Sequence, residues 1–306
     1  MWQRFFTLLL LLRKKHMAKN KKEERRKLSF SDGLRIVGLI FFLGVLFYPT
    51  ISDLLSHFNS SYAVASYDQE VLGLDQAIKD QMMVAARQYN EALGNESPLY
   101  DPFSEALTSD EGYLQQLNAS PDGMMGTLRI PKIHVELPIY HTTGEGVLQK
   151  GVGHMEGTSL PIGGVGTHAV LSGHRGIPKS VLFTDLDLLE IGDIFYVKVL
   201  DESLAYEVDQ IKTVLPHETE DIQIVPGMDY VTLLTCTPYS VNTHRLLVRG
   251  HRVDYREATA VEPDEVHFTL YVPDEVKVLS LVLLLVLIFV LVIKKLRRHK
   301  KDEDHS

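Results

Sequence analysis

Hydrophobic positions along the chain form two uncharged runs, one helical stripe and a series of alternating segments. The uncharged runs cover 36–52 and 278–293. Roughly 17–25 predominantly apolar residues are needed to cross the hydrocarbon core of a bilayer as a helix. The runs therefore predict membrane-spanning helices over 34–52 and 277–293. For the first run, a cleaved signal peptide is the alternative.

Between the two runs, apolar residues recur at spacings of three and four, which is the pattern of one buried helix face. The stripe comprises Val71, Leu74, Ile78, Met82, Ala85, Tyr89 and Leu93. It predicts a helix that packs against the next domain. Residues 95–103 follow with two prolines and no period, which predicts an exposed loop. We assign 53–125 to a helical region that precedes the main domain.

From residue 126 the hydrophobic period changes to two. Short apolar segments alternate with Gly, Pro and Asp, and the clearest cover 128–139, 169–171, 194–199, 206–208, 230–234 and 245–248. Dense turn residues between short strands are typical of a closed or sandwich all-β domain. The sequence thus predicts a mainly β domain over 126–256, followed by an acidic tether over 257–276.

Charge is strongly segregated, although the net charge of the 306 residues is only −9. Residues 28–293 hold fifteen Lys and Arg against 35 Asp and Glu, whereas basic residues cluster in 1–33 and 294–306. Because basic flanks stay on the cytoplasmic side, we expect both termini in the cytoplasm and 53–276 outside the cell membrane. An acidic outer part repels phosphate backbones, so nucleic acid is not expected as a partner.

The single cysteine, Cys236, is the first candidate for chemistry. It follows the apolar segment 231–234 and precedes a turn at 237–239, which places it at a strand end. A lone cysteine commonly acts as a small buried hydrophobe. It becomes a nucleophile where a base or a cation stabilises its thiolate. His174 and Arg245 are the candidates for those two roles.

Other histidines compete with His174, which lies in a Gly-flanked turn after a predicted strand. Among the thirteen histidines, we interpret four competitors as loop or surface residues: His134, His141, His154 and His168. His154 and His168 are a candidate pair of metal ligands, but no third ligand stands at a recognisable spacing. We therefore predict no metal site.

Arg245 also has a competitor. A hairpin that joins the strand of Cys236 to the next strand would bring Arg245 back beside the thiol. Alternation places Arg249 on the same face. Spacing alone does not choose between the two arginines.

Together these residues resemble one family. The segment Thr232-Leu233-Leu234-Thr235-Cys236 followed by Arg245, with a Gly-His turn about sixty residues upstream, resembles the sortases. These are membrane-anchored cysteine transpeptidases of Gram-positive bacteria. The stretch 235–250, the second predicted span and the tripeptide Asp101-Pro102-Phe103 resemble the pilus-building class C in particular.

The resemblance implies a fold and a set of roles. The fold would be an eight-stranded sortase-type β-barrel with N-terminal helices, flanked by the two transmembrane helices. Cys236 would be the nucleophile, His174 the general acid and base, and Arg245 the group that binds substrate and stabilises the oxyanion. Thr235 would contact substrate. Loop 98–104 would be a regulatory lid that fills the active site at rest through Asp101, Pro102 and Phe103.

The resemblance also implies a reaction without a cofactor. Cys236 would attack the Thr carbonyl of a Leu-Pro-x-Thr-Gly-like sorting signal, and the thioester would pass the acyl group to a Lys amine. Pilin subunits and membrane lipid would be the partners. Two alternatives remain open. One is a cysteine peptidase or wall-anchoring transpeptidase with the same thiol, and the other is a non-catalytic, membrane-tethered β-domain that serves as adhesin or assembly scaffold.

Overall fold

The computed structural model describes residues 30–93, 99–104, 109–176, 182–256 and 258. The chain divides into two compact units between Tyr48 and Pro49. In the described part, the first unit consists of the beginning of a long helix. The second unit contains the remainder of that helix, three shorter helices and a β-barrel.

The described residues form four α-helices and eight β-strands, numbered in chain order. The α-helices are α1 (Phe30–Gly73), α2 (Gln76–Ala92), α3 (Glu111–Leu114) and α4 (Glu145–Leu148). The strands are β1 (Met124–Ile130), β2 (Val135–His141), β3 (Val152–His154), β4 (Thr167–Ser172), β5 (Ile194–Val199), β6 (Glu202–Val214), β7 (Asp229–Thr237) and β8 (His244–Val253). Single 3-10 turns lie at Pro131–Ile133, Leu186–Leu188 and Glu220–Ile222.

The eight strands close into a barrel in the order β1-β2-β3-β4-β7-β8-β6-β5. The pairs β2–β3 and β4–β7 are parallel, and the other neighbouring pairs are antiparallel. This architecture confirms the predicted eight-stranded β-barrel. The barrel lies close to the predicted range 126–256.

Alternation along the strands separates two apolar clusters. On β4 and β7, Leu171 and Leu233 belong to the main core inside the barrel. Val170 and Leu234, which are adjacent to these two residues along the strands, belong to a second cluster. This second cluster therefore lies on the outer face of the sheet. The other members of this outer-face cluster are Met155, Val214, Ile222 and Leu247, with Leu99 and Phe103 packed against it.

The helical stripe differs from its prediction in detail. Helix α1 ends at Gly73, and α2 starts anew with Asp75 as its N-cap. Ile78, which the stripe assigns to the buried face, is exposed, whereas Lys79 is buried. The ammonium of Lys79 lies 2.9 Å from a carboxylate oxygen of Asp201. A pattern of apolar residues cannot reveal a charged residue that is buried through a distant partner.

The predicted membrane spans are not confirmed. Helix α1 covers the first of them, 34–52. Within the part of the chain that the structure describes, no helix combines the length and the apolar composition that crossing a membrane requires. The second predicted span, 277–293, lies outside the described residues. So do the basic tail 294–306 and nearly all of the tether 257–276.

Candidate active site

Three adjacent strands bring the predicted catalytic residues together. In the antiparallel pair of β7 and β8, Cys236 is directly opposite Arg245. In the parallel pair of β4 and β7, Ser172 is opposite Leu234. Strand β4 ends at Ser172, and His174 lies two residues further in the turn that follows, as Cys236 lies two residues beyond Leu234. Since residues two apart on a strand point to the same face, Cys236 and Arg245 lie on the outer face. Phe103, which packs against the outer-face cluster, contacts both His174 and Arg245.

The turn that leads to His174 is tied to β7. The Gly173 N–H donates to the Leu234 carbonyl at 3.0 Å, and the Thr235 hydroxyl donates to the Gly173 carbonyl at 2.7 Å. A Cβ at Gly173 would lie 2.8 Å from the ring of Phe183, so the turn packs too closely for a larger residue. Thr235 is fully buried in this contact. Its predicted contact with substrate stays a prediction.

The guanidinium of Arg245 is held by four hydrogen bonds. Nε and Nη2 donate to the two carboxylate oxygens of Asp101 at 2.7 and 2.6 Å. Nη1 donates to the carbonyls of Asn242 and His244 at 3.0 and 2.9 Å. The Arg245 side chain is only 9% exposed. Burial is the largest single effect and lowers the pKa of Arg245, but the hydrogen bonds to Asp101 and the charges of Cys236 and Asp101 together outweigh it, so the pKa is raised.

Arg249 lies on the same face of β8 but away from the thiol. Register places it opposite Thr232. Its guanidinium donates to both carboxylate oxygens of Asp209 at 2.9 and 3.0 Å and lies 4.1 Å from the centre of the Tyr230 ring. The register therefore separates the two arginines that spacing leaves equivalent.

Cys236 is buried, with 7% of the residue exposed. Burial raises the pKa of its thiol, the charge of Arg245 lowers it, and the charge of Asp101 raises it further. The net effect raises the pKa and favours the protonated thiol. In this arrangement Asp101 weakens the influence of the cation that would otherwise stabilise the thiolate.

Phe103 lies between the imidazole and the guanidinium. Its ring centre is 5.6 Å from that of His174, and the Cζ atom of Arg245 is 5.1 Å from the Phe103 ring centre. The Asp101–Arg245 contact and this aromatic contact together place the loop over the outer face at Cys236. Access to the thiol from that side requires the loop to move.

Two further features hold this loop in place. The backbone N–H and the hydroxyl of Ser104 both donate to the Asp101 carbonyl, at 3.0 and 2.7 Å, so residues 101–104 form a closed turn. Pro102 is buried and lines a small cavity together with Leu234 and Leu247 of the outer-face cluster. The loop is therefore packed onto the barrel by apolar contacts as well as by charge.

The interpretation of the competing histidines as surface residues is wrong for three of them. His141, His154 and His168 are buried, and only His134 is exposed. Each ring nitrogen of His154 and His168 contacts a protein oxygen atom at 2.7–2.9 Å. Burial lowers the pKa of both to about 4. Among the described residues, no group of three or more His, Cys, Asp or Glu is arranged to hold a metal ion.

Sequence reasoning missed Arg175, which follows His174. Its Nε donates to the Thr184 carbonyl at 3.1 Å, Nη1 to the Thr237 hydroxyl at 3.3 Å and Nη2 to Asp187 at 2.5 Å. It thus connects the turn of His174 with the end of the strand that contains Cys236. Its position beside His174 in the Gly-flanked turn was the only signal in the sequence.

Sequence reasoning also missed Glu145, the first residue of α4. Its Oε2 atom lies 3.1 Å from Nε2 of His174. No local motif joins these two residues, because 29 positions separate them. Helix α4 is also too short to produce a recognisable period.

Comparison with known proteins gives one consistent family. Residues 128–253 match the family model of the sortase domain. The chain is 31% identical to sortase A of Bacillus anthracis over 154 residues. This alignment covers 49% of this chain and 71% of that protein. Across its sequence relatives, the chain spans from 52% to 71% of the relative's length.

Solved structures give a more specific similarity. The crystal structure of sortase C-1 from Streptococcus pneumoniae has 48% sequence identity and a TM-score of 0.59, over 63% of this chain and 99% of that chain. The pilus-related sortase C of Group B Streptococcus has 44% identity and a TM-score of 0.59, over 63% of this chain and 98% of that chain.

Proposed function

The chain belongs to class C of the sortase family, and from this premise we propose that it is a cysteine transpeptidase with Cys236, His174 and Arg245 as its catalytic residues. The observation that supports the proposal most directly is that the three side chains meet where β4, β7 and β8 end or begin. Cys236 lies opposite Arg245 on the paired strand, and the turn that leads from β4 to His174 is hydrogen-bonded to the strand of Cys236. Nucleophile and cation are thus on paired strands, with the proton carrier in the adjacent turn.

In the first step, the Cys236 thiol gives its proton to His174, and the resulting thiolate attacks the Thr carbonyl of a Leu-Pro-x-Thr-Gly-like sorting signal. Negative charge develops on the carbonyl oxygen and requires a fixed donor. A guanidinium is always charged and presents several N–H groups in a rigid fork. Arg245 is opposite the thiol on the neighbouring strand, so its fork can serve this oxygen once the carboxylate of Asp101 has left.

His174 supplies the proton that the leaving amine requires. As the C–N bond breaks, the imidazolium donates a proton to the departing nitrogen, and a thioester remains on Cys236. The neutral imidazole then takes a proton from the incoming amine as that amine attacks the thioester. Each half-reaction returns the histidine to the state that the other one needs.

The loop over the site represents a resting state. The carboxylate of Asp101 binds the guanidinium of Arg245, which would otherwise bind substrate. The ring of Phe103 contacts both His174 and Arg245. We infer that a sorting signal displaces this loop before the thiol reacts. The predicted lid 98–104, of which residues 99–104 are described, fits these contacts.

We further propose that the acceptor is a Lys amine of a pilin subunit, so that the product is an isopeptide-linked polymer. The similarity to pilus-related sortase C supports this choice. The charge distribution of the sequence supports a catalytic domain outside the cell membrane, with basic ends on the cytoplasmic side. Membrane attachment would concentrate the enzyme and membrane-held substrates in one layer.

A transfer assay tests this function. The full chain, its Asp101→Ala variant and a Cys236→Ala variant are incubated with a Leu-Pro-x-Thr-Gly peptide and a Lys-containing pilin peptide, and products are identified by mass. We expect an amine-linked product with the first two proteins and none with Cys236→Ala. Release of free acid alone would favour a cysteine peptidase. No product from any folded protein would favour the scaffold alternative.

A further inference from the structure

Glu145 is positioned to act on His174. Its Oε2 atom lies 3.1 Å from His174 Nε2, and its Oε1 atom accepts a hydrogen bond from Gln149 Nε2 at 2.8 Å. Gln149 follows Glu145 by one helical turn. The second hydrogen bond fixes the rotation of the carboxylate, so that its other oxygen points at the imidazole.

The sheet holds α4 at the distance that this contact requires. Helix α4 packs on β3, where Leu148 is buried and a Cβ at Gly153 would lie 3.1 Å from the Leu148 side chain. Strand β3 pairs with β4, the strand that leads to His174. The close approach at Gly153 therefore sets α4, and with it Glu145, beside the histidine.

The carboxylate determines which ring nitrogen holds the proton. The hydrogen bond from Gln149 has the largest effect and lowers the pKa of Glu145, burial raises it by less, and the charge and hydrogen bond of His174 lower it further. An ionised carboxylate only accepts hydrogen bonds. Nε2 of His174 must then carry a hydrogen, which leaves Nδ1 as the nitrogen that gains or loses the second proton.

We propose that Glu145 is the positioning residue of the catalytic histidine: it fixes His174 as the Nε2–H tautomer, holds the ring in place and stabilises the imidazolium that forms in each cycle. This inference rests on the proposed function. Phe103 of the lid also contacts the imidazole, and the charge of Arg175, the next residue along the chain, is paired with Asp187.

The exposure of Glu145 limits the size of the effect. Its side chain is 68% exposed, so water screens its charge. We expect loss of the carboxylate to lower kcat about tenfold, which is less than the roughly 10²–10⁴-fold that general acid–base catalysis contributes as a whole. KM for the sorting-signal peptide should stay within about twofold, because Glu145 acts through His174.

Nitrogen-15 NMR of the histidine rings tests the tautomer without any substrate. Spectra of the full chain are recorded at about pH 8.5, where histidines are ordinarily neutral, and the His174 signals are assigned with His174→Ala. We expect the Nε2–H form in the natural chain and in Glu145→Gln, whose amide oxygen still accepts. Glu145→Ala should show a mixture of tautomers. A pure Nε2–H signal in Glu145→Ala would overturn the proposal.

Kinetics give the second readout and a matched control. Glu111 is the exposed first residue of α3, a helix as short as α4, so Glu111→Ala should leave kcat unchanged. Glu145→Gln should recover part of the kcat lost in Glu145→Ala, with a pH–rate profile still displaced from that of the natural chain. Equal kcat in Glu145→Ala and Glu111→Ala would contradict a positioning role. Absence of transfer by the natural chain would instead refute the proposed function and leave the NMR result standing.

Discussion

At the scale of single residues, the site depends on partners that each side chain meets across strands. Arg245 and Arg249 have the same chemistry and lie on the same face of β8. Register alone sets Arg245 opposite Cys236 and Arg249 opposite Thr232. Their roles therefore follow from strand pairing and not from residue type.

The two arginines form a matched pair of variants. Arg245→Ala removes the cation opposite the thiol, and we expect kcat/KM for the sorting-signal peptide to fall by about 10²–10³, as for loss of one oxyanion donor. Arg249→Ala leaves Asp209 unpaired, so it should lower stability but change kcat/KM by less than about threefold. Steady-state kinetics and thermal unfolding of both variants check this. Similar losses of kcat/KM in both would contradict the assignment.

Local sequence was informative only where a functional residue lies in a recognisable segment. Cys236, His174 and Arg245 each stand at a strand end or a Gly-flanked turn, and the family resemblance gives them roles. Glu145 and Arg175 have no such signal. Their partners are fixed by the packing of α4 on β3 and by the folding of residues 182–188 over the turn, which no spacing along the chain encodes.

At the scale of elements, the lid is held by three different contacts. Asp101 is bound by the guanidinium of Arg245, Phe103 packs between two predicted catalytic side chains, and Pro102 is buried. Charge and apolar packing thus contribute together, so weakening either contact should increase opening of the loop.

We expect Asp101→Ala and Phe103→Ala to speed the labelling of Cys236 by a small thiol reagent. Asp101→Ala should have the larger effect, because it frees the loop and also removes a charge that raises the pKa of the thiol. Labelling is followed by intact mass over time. Asp110→Ala is the control, since Asp110 is exposed and its side chain does not cap α3. Unchanged labelling rates in both lid variants would contradict the proposal that residues 98–104 act as a lid over Cys236.

Strands were more predictable than helices in this chain. The alternating segments at 169–171, 194–199 and 230–234 all lie within observed strands, because one face of each strand is buried in the barrel. The helical stripe failed at the break between α1 and α2. There the buried face depends on the ion pair of Lys79 with Asp201, which joins α2 to a distant turn.

At the scale of the whole molecule, two buried histidines link stability to pH. The pKa of His154 and of His168 is lowered by burial to about 4, against about 6.5 for an unfolded histidine. Between these values the unfolded chain binds the additional protons. The contribution of both groups to stability is therefore complete above about pH 6.5 and is lost as the pH falls towards 4.

His168→Gln should reduce the acid sensitivity of folding. Burial raises the pKa of Glu136 and Asp229, which acts in the opposite direction, so the comparison of variants is the informative quantity. The free energy of unfolding should fall between pH 6.5 and pH 4 in both proteins. We expect the fall to be smaller in His168→Gln than in the natural chain, by about 1–3 kcal/mol. Denaturant unfolding across this range measures it. The exposed His217→Gln is the control, and identical slopes in all three proteins would contradict the linkage.

The central claim is that the Cys236 thiol forms a covalent acyl intermediate with a sorting signal. Intact mass of the Asp101→Ala chain, mixed with a Leu-Pro-x-Thr-Gly peptide and no acceptor amine, tests it most directly. The account predicts an increment equal to the peptide through Thr less one water, located on Cys236, removed by hydroxylamine and absent in Asp101→Ala/Cys236→Ala. Cleavage of the peptide without such an adduct, or with an adduct on another residue, would contradict it.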